Sequence, residues 1–299
     1  MAELPFEREF DAPYGVPEEV SGLVRRIVCR NPSPFTFTGT NSYVVGHGEV
    51  AIVDPGPDDD AHLEALLAAV AGETVSHIVV THSHSDHATL ALRLKAHTSA
   101  PIHAFGRDPA ARVDSAPGLD AGFDPAFRPD QPLRHGDVIS GKTWTLEALH
   151  TPGHTSDHLA LVLAQETALF SGDHVMAWAT SVVAPPDGNM ADYFASLRLL
   201  LERHDKVYWP GHGGPTRAPK RFVRALIAHR QMREASILER IRQGDRTVTD
   251  IVRTVYRDVD PRLHGAAALS ALAHVEHLIT QGRVTCDGAA SLTAQLRAA

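Results

Sequence analysis

Three imidazoles and a carboxylate fall within six consecutive positions, at His82, His84, Asp86 and His87. A turning loop can point His82 and His84 one way and Asp86 and His87 another, so one loop can serve two cations. Imidazole together with carboxylate is a borderline-hard donor set, suited to zinc and acceptable to iron or manganese. Each ion needs about three protein ligands if it is to keep an open position for water. The remaining candidates are His154 after Thr151-Pro152-Gly153, Asp173 after Phe170-Ser171-Gly172, and His212 after Trp209-Pro210-Gly211. A glycine precedes each of the three, and the missing β-carbon lets the backbone turn sharply and carry the next side chain towards a metal.

These residues need a scaffold that delivers them to one place. Ser42 to Val45 and Val50 to Val53 read as a hairpin around Gly46 to Gly48, closed by Asp54-Pro55-Gly56. Asp58 to Asp60 then start an amphipathic helix with Leu63, Leu66, Leu67 and Val70 at helical spacing. His77 to Thr81 is a β-branched run that reads as a buried strand leading into the His82 to His87 cluster, and a helix from about Asp86 to His97 follows. Residues 107 to 137, rich in proline, glycine and aspartate, form a long irregular excursion of the kind that borders a cleft. Thr143 to Leu149, His158 to Leu163, Ala168 to Phe170 and Val207 to Trp209 are expected strands, and Met190 to Arg203 a helix. Beyond Pro219 the character is helical over Ala218 to Gln243, Thr249 to Tyr256 and Ala266 to Gln281. With a short strand at Arg283 to Cys286, this pattern is like that of a winged-helix module. The expected domains are therefore residues 1–217 and 218–299.

Composition excludes several classes. In 299 residues with 43% apolar and 21% charged side chains, no stretch approaches the roughly 18 to 20 apolar residues of a membrane span. The first ten residues lack the apolar core of an export signal. Cys29 and Cys286 alone can build neither a disulfide framework nor a cysteine-rich zinc site, and a reducing cytoplasm suits them. The net charge of −8 argues against indiscriminate polyanion binding, although metal-holding carboxylates contribute to it.

The order of the ligands resembles the metallo-β-lactamase superfamily, whose motifs run T-H-x-H-x-D-H, glycine-histidine, glycine-aspartate and a final glycine-histidine. Asn31-Pro32, Thr40 to Tyr43, Thr151 to His158 and His229 to Glu234 narrow the resemblance to the lactamase-β-2-like branch with a C-terminal winged-helix domain. That resemblance implies an α/β fold, the αββα sandwich of two mixed sheets flanked by helices. It implies two divalent ions, the first held by His82, His84 and His154, the second by Asp86, His87 and His212, with Asp173 bridging. The two ions would sit about 3.5 to 4 Å apart around a bridging hydroxide, Asp86 and Asp173 would be the catalytic carboxylates, and Asp86 would orient the nucleophile.

The leading expectation is a phosphodiesterase, an endoribonuclease acting on single-stranded RNA, because the branch contains such an enzyme. The alternative is a carbonyl hydrolase acting on a thioester, lactone or β-lactam, with a small-molecule ester as substrate. A binding protein without chemistry is disfavoured by the complete ligand set, and a di-iron oxidoreductase by the lack of a flavin domain. Arg217, Lys220, Arg221, Arg224, Arg230 and Arg233 could form a phosphate-binding face, or simply a solvated helix surface. The helical tail is read as a packing or homodimer element, because its third helix is poor in basic residues. His47, His62, His97, His204, His264, His274 and His277 are expected to be exposed, and His158 and His174 to support ligands or pack. Trp178, Phe35, Phe37 and Tyr193 are candidates to line a cleft, with core packing as the default.

Overall fold

The computed structural model describes residues 4–106, 122–123, 127–257 and 259–299. Most of the expected proline-rich excursion, 107–121 and 124–126, lies outside the described residues. Before it come β1 (Glu18–Glu19), β2 (Val24–Val28), β3 (Asn41–Val45), β4 (Glu49–Val53), α1 (Asp60–Ala69), β5 (Thr74–Val79), α2 (Ser85–Ala88), α3 (Ala91–Thr98) and β6 (Ile102–Ala104). After it come β7 (Gln131–Pro132), β8 (Val138–Ser140), β9 (Thr145–His150), β10 (Leu159–Leu163), β11 (Ala168–Gly172), α4 (Met190–Glu202) and β12 (Val207–Pro210). The C-terminal part holds α5 (Pro219–Arg242), α6 (Val248–Val255), α7 (His264–Thr280), β13 (Val284–Cys286) and β14 (Leu296–Ala298).

Among the described residues β1 to β7 form one sheet in chain order, β8 to β12 a second, and β13 with β14 a short ribbon. Both large sheets are mixed: β2 to β4 and β8 to β11 run antiparallel, whereas β4 to β7 and the β11–β12 pair run parallel. The period-2 alternation of a strand then decides which layer each side chain enters. Val44, Ile52 and Ile78 face α1 and α3 with Leu63, Leu66 and Leu94. Their neighbours Tyr43, Val45, Val53 and Val79 face the other sheet and pack on Leu146, Leu159, Leu161 and Phe170. The outer face of the second sheet meets α4 and the start of α5 through Leu169, Leu197, Phe222 and Leu226. This is the αββα sandwich.

The helix expected from Asp86 to His97 is broken in two. Leu90 N–H donates to Gly56 O at 3.0 Å, and Gly56 N–H donates to His87 O at 3.1 Å, so the loop after β4 takes over backbone bonds at the break. The short α2 is thereby tied to the end of β4, beside the candidate ligands.

Helix α5 runs through two cores. Phe222, Val223 and Leu226 belong to the sandwich, while Ile237, Leu238 and Ile241 pack with α6, α7 and the ribbon. Between these stretches lie two buried charges, Arg230 and Glu234. Among the described residues no helix is long and apolar enough to cross a membrane.

Two histidines expected at the surface are buried: His62 and His274, 2% and 0% exposed. His62 Nε2 packs 2.8 Å from Ser42 Oγ under α1, and His274 lies in α7 against Glu234. Burial pushes both down to about 4, and His103 likewise, so all three are neutral in the fold. Their folded pKa lies below the unfolded value of about 6.5. The unfolded chain therefore takes up protons first, and the stability these groups contribute is complete above pH 6.5 and lost as pH falls towards 4. His62 and His274, the more deeply buried of the three, each account for on the order of 3 kcal/mol. The thermal midpoint, measured in excess chelator so that metal release plays no part, is expected to fall steadily from pH 7 to 4.5. A level profile would contradict the neutral buried state.

Candidate metal centre

The seven candidate ligands come from one end of the sandwich. The buried strand β5 leads through Val80 and Thr81 to His82 and His84, and α2 carries Asp86 and His87 in its single turn. His154 follows β9, Asp173 follows β11 and His212 follows β12, so the second sheet supplies the other three. Gly153 illustrates why small residues precede them. Its φ is +137°, and a β-carbon there would lie 2.4 Å from the Tyr193 Cα in the first turn of α4. Only glycine allows the His154 loop to seat on that helix.

The structure brings all seven side chains together. His84 Nδ1 lies 3.0 Å from His82 Nε2 and 3.1 Å from His154 Nε2. Asp86 Oδ2 lies 3.2 Å from His212 Nε2 and 3.6 Å from His87 Nε2. The Asp173 carboxylate sits between the two groups, 3.3 Å from His212 Nε2, 3.5 Å from His87 Nε2 and 3.8 Å from His154 Nε2. Three sets of donor atoms converge closely enough to hold a cation: His82, His84 and His154; Asp86, His87 and His212; and His82, His87 and Asp173.

The hydrogen-bond accounting fits a bound cation better than a polar network closed on itself. His154 Nδ1 donates to Val182 O at 2.6 Å and His212 Nδ1 to Gly39 O at 3.2 Å. A carbonyl can only accept, so in the neutral tautomer Nε2 of each ring presents a lone pair inward. His84 Nδ1 has at most one proton to share between two neighbouring nitrogens. Buried atoms without a partner include Asp86 Oδ1, Asp173 Oδ1 and His87 Nε2. Such atoms are costly unless something fills the space between them.

Electrostatics divide the cluster. Burial, reinforced by neighbouring imidazoles, lowers His82 and takes His84 down to about 3. Burial also pulls on His87 and His212, but the carboxylates outweigh it: Asp86, Asp173 and Asp54 raise His87, and Asp173 with Asp86 raises His212 to about 9. Asp86 and Asp173 are in turn held below the usual carboxylate range by these imidazoles, against the opposing effect of burial. The carboxylate pair demands positive charge, which protons supply here and divalent ions would supply better.

Two supporting residues shape the centre. Asp54, in the left-handed region at φ +50°, accepts from Thr81 N at 2.7 Å and Thr81 Oγ1 at 2.8 Å, and lies 3.0 Å from His87 Nδ1. Sequence reasoning treated Asp54-Pro55-Gly56 only as a turn. The parallel pairing of β4 with β5, invisible in a linear pattern, is what sets Asp54 beside Thr81. His158 accepts from Asp173 N at 3.2 Å and meets Thr151 Oγ1 at 2.9 Å, which supports a ligand as one of its two expected roles. His174 is wholly buried, packs 4.6 Å from the Tyr193 ring, and faces no ligand through a hydrogen bond.

A cavity of about 300 Å³ opens over the cluster, with His84, Asp86, His154, Asp173 and His212 in its lining. Phe35, Phe123, Met176, Trp178, Val182 and Pro185 supply much of its wall. Phe37 stands behind Trp178 in a stack at 4.9 Å, whereas Tyr193 is a core residue.

Residues 35–212 match the family described as the Metallo-beta-lactamase superfamily. The chain belongs to that superfamily. It is a hydrolase of the metallo-β-lactamase fold, and residues 247–291 match the Beta-lactamase associated winged helix domain. A Beta-lactamase-like protein 2 homolog of Caenorhabditis elegans is 33% identical over 250 residues, 81% of this chain and 79% of that one. An Atrochrysone carboxyl ACP thioesterase of Aspergillus fumigatus is 31% identical over 241 residues, 77% of this chain and 70% of that one. The crystal structure of a Beta-lactamase domain protein from Burkholderia ambifaria superposes with a TM-score of 0.81 at 24% identity, covering 99% of this chain and 97% of that one, which shows the shared fold.

Within this metallo-β-lactamase centre, Asp54→Ala is expected to weaken metal binding about 10- to 100-fold, because His87 would lose the carboxylate that orients its ring. Thr81 would lose both bonds that hold the loop. Titration with zinc against a competing chelator measures this; unaltered affinity would reduce Asp54 to a turn residue.

Proposed function

We propose that the chain is a metal-dependent hydrolase of a thioester or ester whose acyl group is largely apolar. The observation that carries this reading is the cleft itself: aromatic and aliphatic side chains wall it, with the candidate ligands on one side. Such a pocket desolvates and seats a hydrocarbon or aromatic acyl group. The relative named as an ACP thioesterase is consistent with it.

The phosphodiesterase expectation has less support. Of the six basic residues expected to form a phosphate-binding face, Arg217, Lys220, Arg221 and Arg224 line a separate open groove with His204, Asp205 and Lys206, and only Arg230 and Arg233 border the cleft. A single-stranded nucleic acid is usually held by a continuous basic track with stacking rings. Here the rings and most of the basic side chains of α5 lie apart.

In the proposed site His82, His84 and His154 would hold one divalent ion and Asp86, His87 and His212 a second, with Asp173 a ligand available to either; zinc fits this donor set, and iron or manganese is compatible. Bound ions would act as Lewis acids and lower the pKa of a water. The chain's own contribution is positional. Asp86 Oδ1, buried and without a partner, can accept a hydrogen bond from the attacking water and fix its direction. Val182 O and Gly39 O lock the His154 and His212 rings. Phe35, Phe123 and Trp178 keep bulk water from the acyl group. Residues 1–217 make the catalytic part in this reading, and 218–299 contribute part of the cleft's lining.

The test compares a benzoyl or hexanoyl thioester of N-acetylcysteamine with bis-p-nitrophenyl phosphate, single-stranded RNA, a lactone and nitrocefin, using zinc-loaded protein. Thioester or ester turnover abolished by chelation is the expected result. Turnover confined to the phosphodiester or RNA would reverse the order of the two readings.

A further inference from the structure

The part of the cleft wall supplied by α5 carries a charge that is not among the candidate ligands. Arg230, in the middle of α5, is 3% exposed and still borders the cavity. Its Nη2 donates to Ser181 O, its guanidinium lies 5.3 Å from the centre of the Tyr193 ring, and its Nε is buried with no partner. Among the described residues it has no ion pair with a carboxylate. Glu234, one turn further along the helix, is engaged elsewhere: 2.7 Å from His277 Nδ1, 3.5 Å from His274 Nδ1 and 3.6 Å from Arg283 Nη1. A buried guanidinium without a counter-ion is expensive, and its persistence calls for an anion that arrives from outside.

The neighbouring groups suit such an anion. Tyr256 Oη and His229 Nδ1 are buried and have no hydrogen-bond partner among the described residues, and both residues border the same cavity. Arg233 lies above the Tyr256 ring at 4.4 Å and spends Nη1 on Val255 O at 2.6 Å, leaving other N–H groups of its fork available at the rim. These residues come from α5 and the end of α6, whereas the candidate metal ligands come from the sandwich. The two sides meet at one loop: Ser181 accepts from Arg230 through its carbonyl and donates through Oγ to Asp173 O, and Val182 O holds His154.

We propose that Arg230, with Arg233, Tyr256 and His229, forms an oxyanion subsite that binds a carboxylate or phosphate carried by the substrate away from the scissile bond. A planar guanidinium fork matches either group. The substrate class becomes an acyl compound with two ends, one presented to the metal centre and one, acidic, held by the helical domain. This deepens the proposed hydrolase reading and rests on it only for where the reacting bond lies.

The test reads binding, so it is independent of turnover. Zinc-loaded full-length protein is titrated calorimetrically with succinate, glutarate and adipate, each beside its monoamide, and with 3-phosphonopropionate. Wild type is expected to prefer the best-fitting diacid over its monoamide by roughly ten- to a hundredfold, the worth of a charge-assisted bond. Arg230→Gln should remove that preference while binding the monoamide as before, and Arg230→Lys should keep part of it. A stronger preference for the phosphonate, again lost in Arg230→Gln, assigns the subsite to a phosphate on the leaving group. Equal weakening of diacid and monoamide would show that Arg230 only braces the Ser181 loop, and an unchanged preference would remove it altogether; either overturns the proposal. If Arg230→Gln does not fold, Tyr256→Phe should reduce the preference severalfold, and no reduction there is equally fatal. Failure of every thioester and ester in the hydrolysis panel, with the diacid preference intact, would sink the acyl reading and leave the subsite standing.

Discussion

Asp173→Asn is expected to lower hydrolysis by about 10³-fold and to lose at least one equivalent of bound metal. The substitution keeps the shape of the side chain and removes its charge. Asp173 is 7% exposed and touches His87, His154 and His212 at 3.3–3.8 Å, and among the described residues no other carboxylate reaches both groups of imidazoles. The backbone bonds at this position, from Asp173 N–H to His158 Nε2 and from Ser181 Oγ to Asp173 O, do not involve the carboxylate. Folding should therefore survive, with a change in thermal midpoint small beside that caused by chelation. His212, raised chiefly by Asp173, should move back towards ordinary imidazole behaviour in the metal-free variant. Metal content, initial rates and the histidine titration followed by NMR measure these together. Full activity with full metal content in the variant would end the bridging assignment.

The second large effect is expected at a residue with no functional group. Gly211→Ala would place a methyl 2.4 Å from Asp173 Oδ1 and 2.6 Å from His87 Cε1, inside the van der Waals envelope of two candidate ligands. The backbone cannot step aside, because Gly211 N–H donates to Gly172 O at 2.9 Å and Gly211 O accepts from Asn41 N at 2.7 Å. These bonds join the end of β12 to β11 and to β3, so relief must come from the ligands. Metal affinity should fall at least a hundredfold, while overpacking costs about 1–3 kcal/mol of stability. Gly265→Ala is the control: it lies in α7 with open space around the added methyl, and should be neutral or stabilising by about 0.4–1 kcal/mol. Chelator-competition titration beside thermal unfolding separates the outcomes. A Gly211→Ala protein that holds metal normally would mean that the centre is looser than the distances indicate.

Much of the sandwich was readable because its strands carry their own periodicity. Residues 42–45 and 50–53, largely apolar and next to turn residues, lie within β3 and β4, whereas the expected strand 77–81 overlaps only the end of β5, which starts earlier, at Thr74, and stops at Val79. The β2 strand was missed because Arg25 and Arg26 interrupt its apolar pattern. Those side chains are neutralised by partners distant in sequence or on the next strand, Glu73 at 2.6 Å and Glu18 at 2.8 Å. The ribbon strand β14 and the short β6 to β8 carry too few residues for a period to emerge. His62 and His274 were misjudged for a related reason: a lone histidine carries no sign of whether a helix will press it into a core.

By itself the sequence determined the donor types, their order and the local turns that carry them, because each of those is written within a few residues: a β-branched run, a glycine, then an imidazole or carboxylate. It also determined the two sets of elements, strand-rich to Trp209 and helical after Pro219. Only the tertiary structure decided that Asp54 would brace His87, that His158 would hold Asp173, and that an apolar cleft would cover the centre. It alone separated the basic residues of α5 into an outer groove and a buried Arg230 facing that cleft. The physical reason is one of range. Turn chemistry and periodicity act through neighbouring backbone bonds, whereas strand register and helix packing bring together groups tens to more than a hundred residues apart, and no local pattern records which of them will meet.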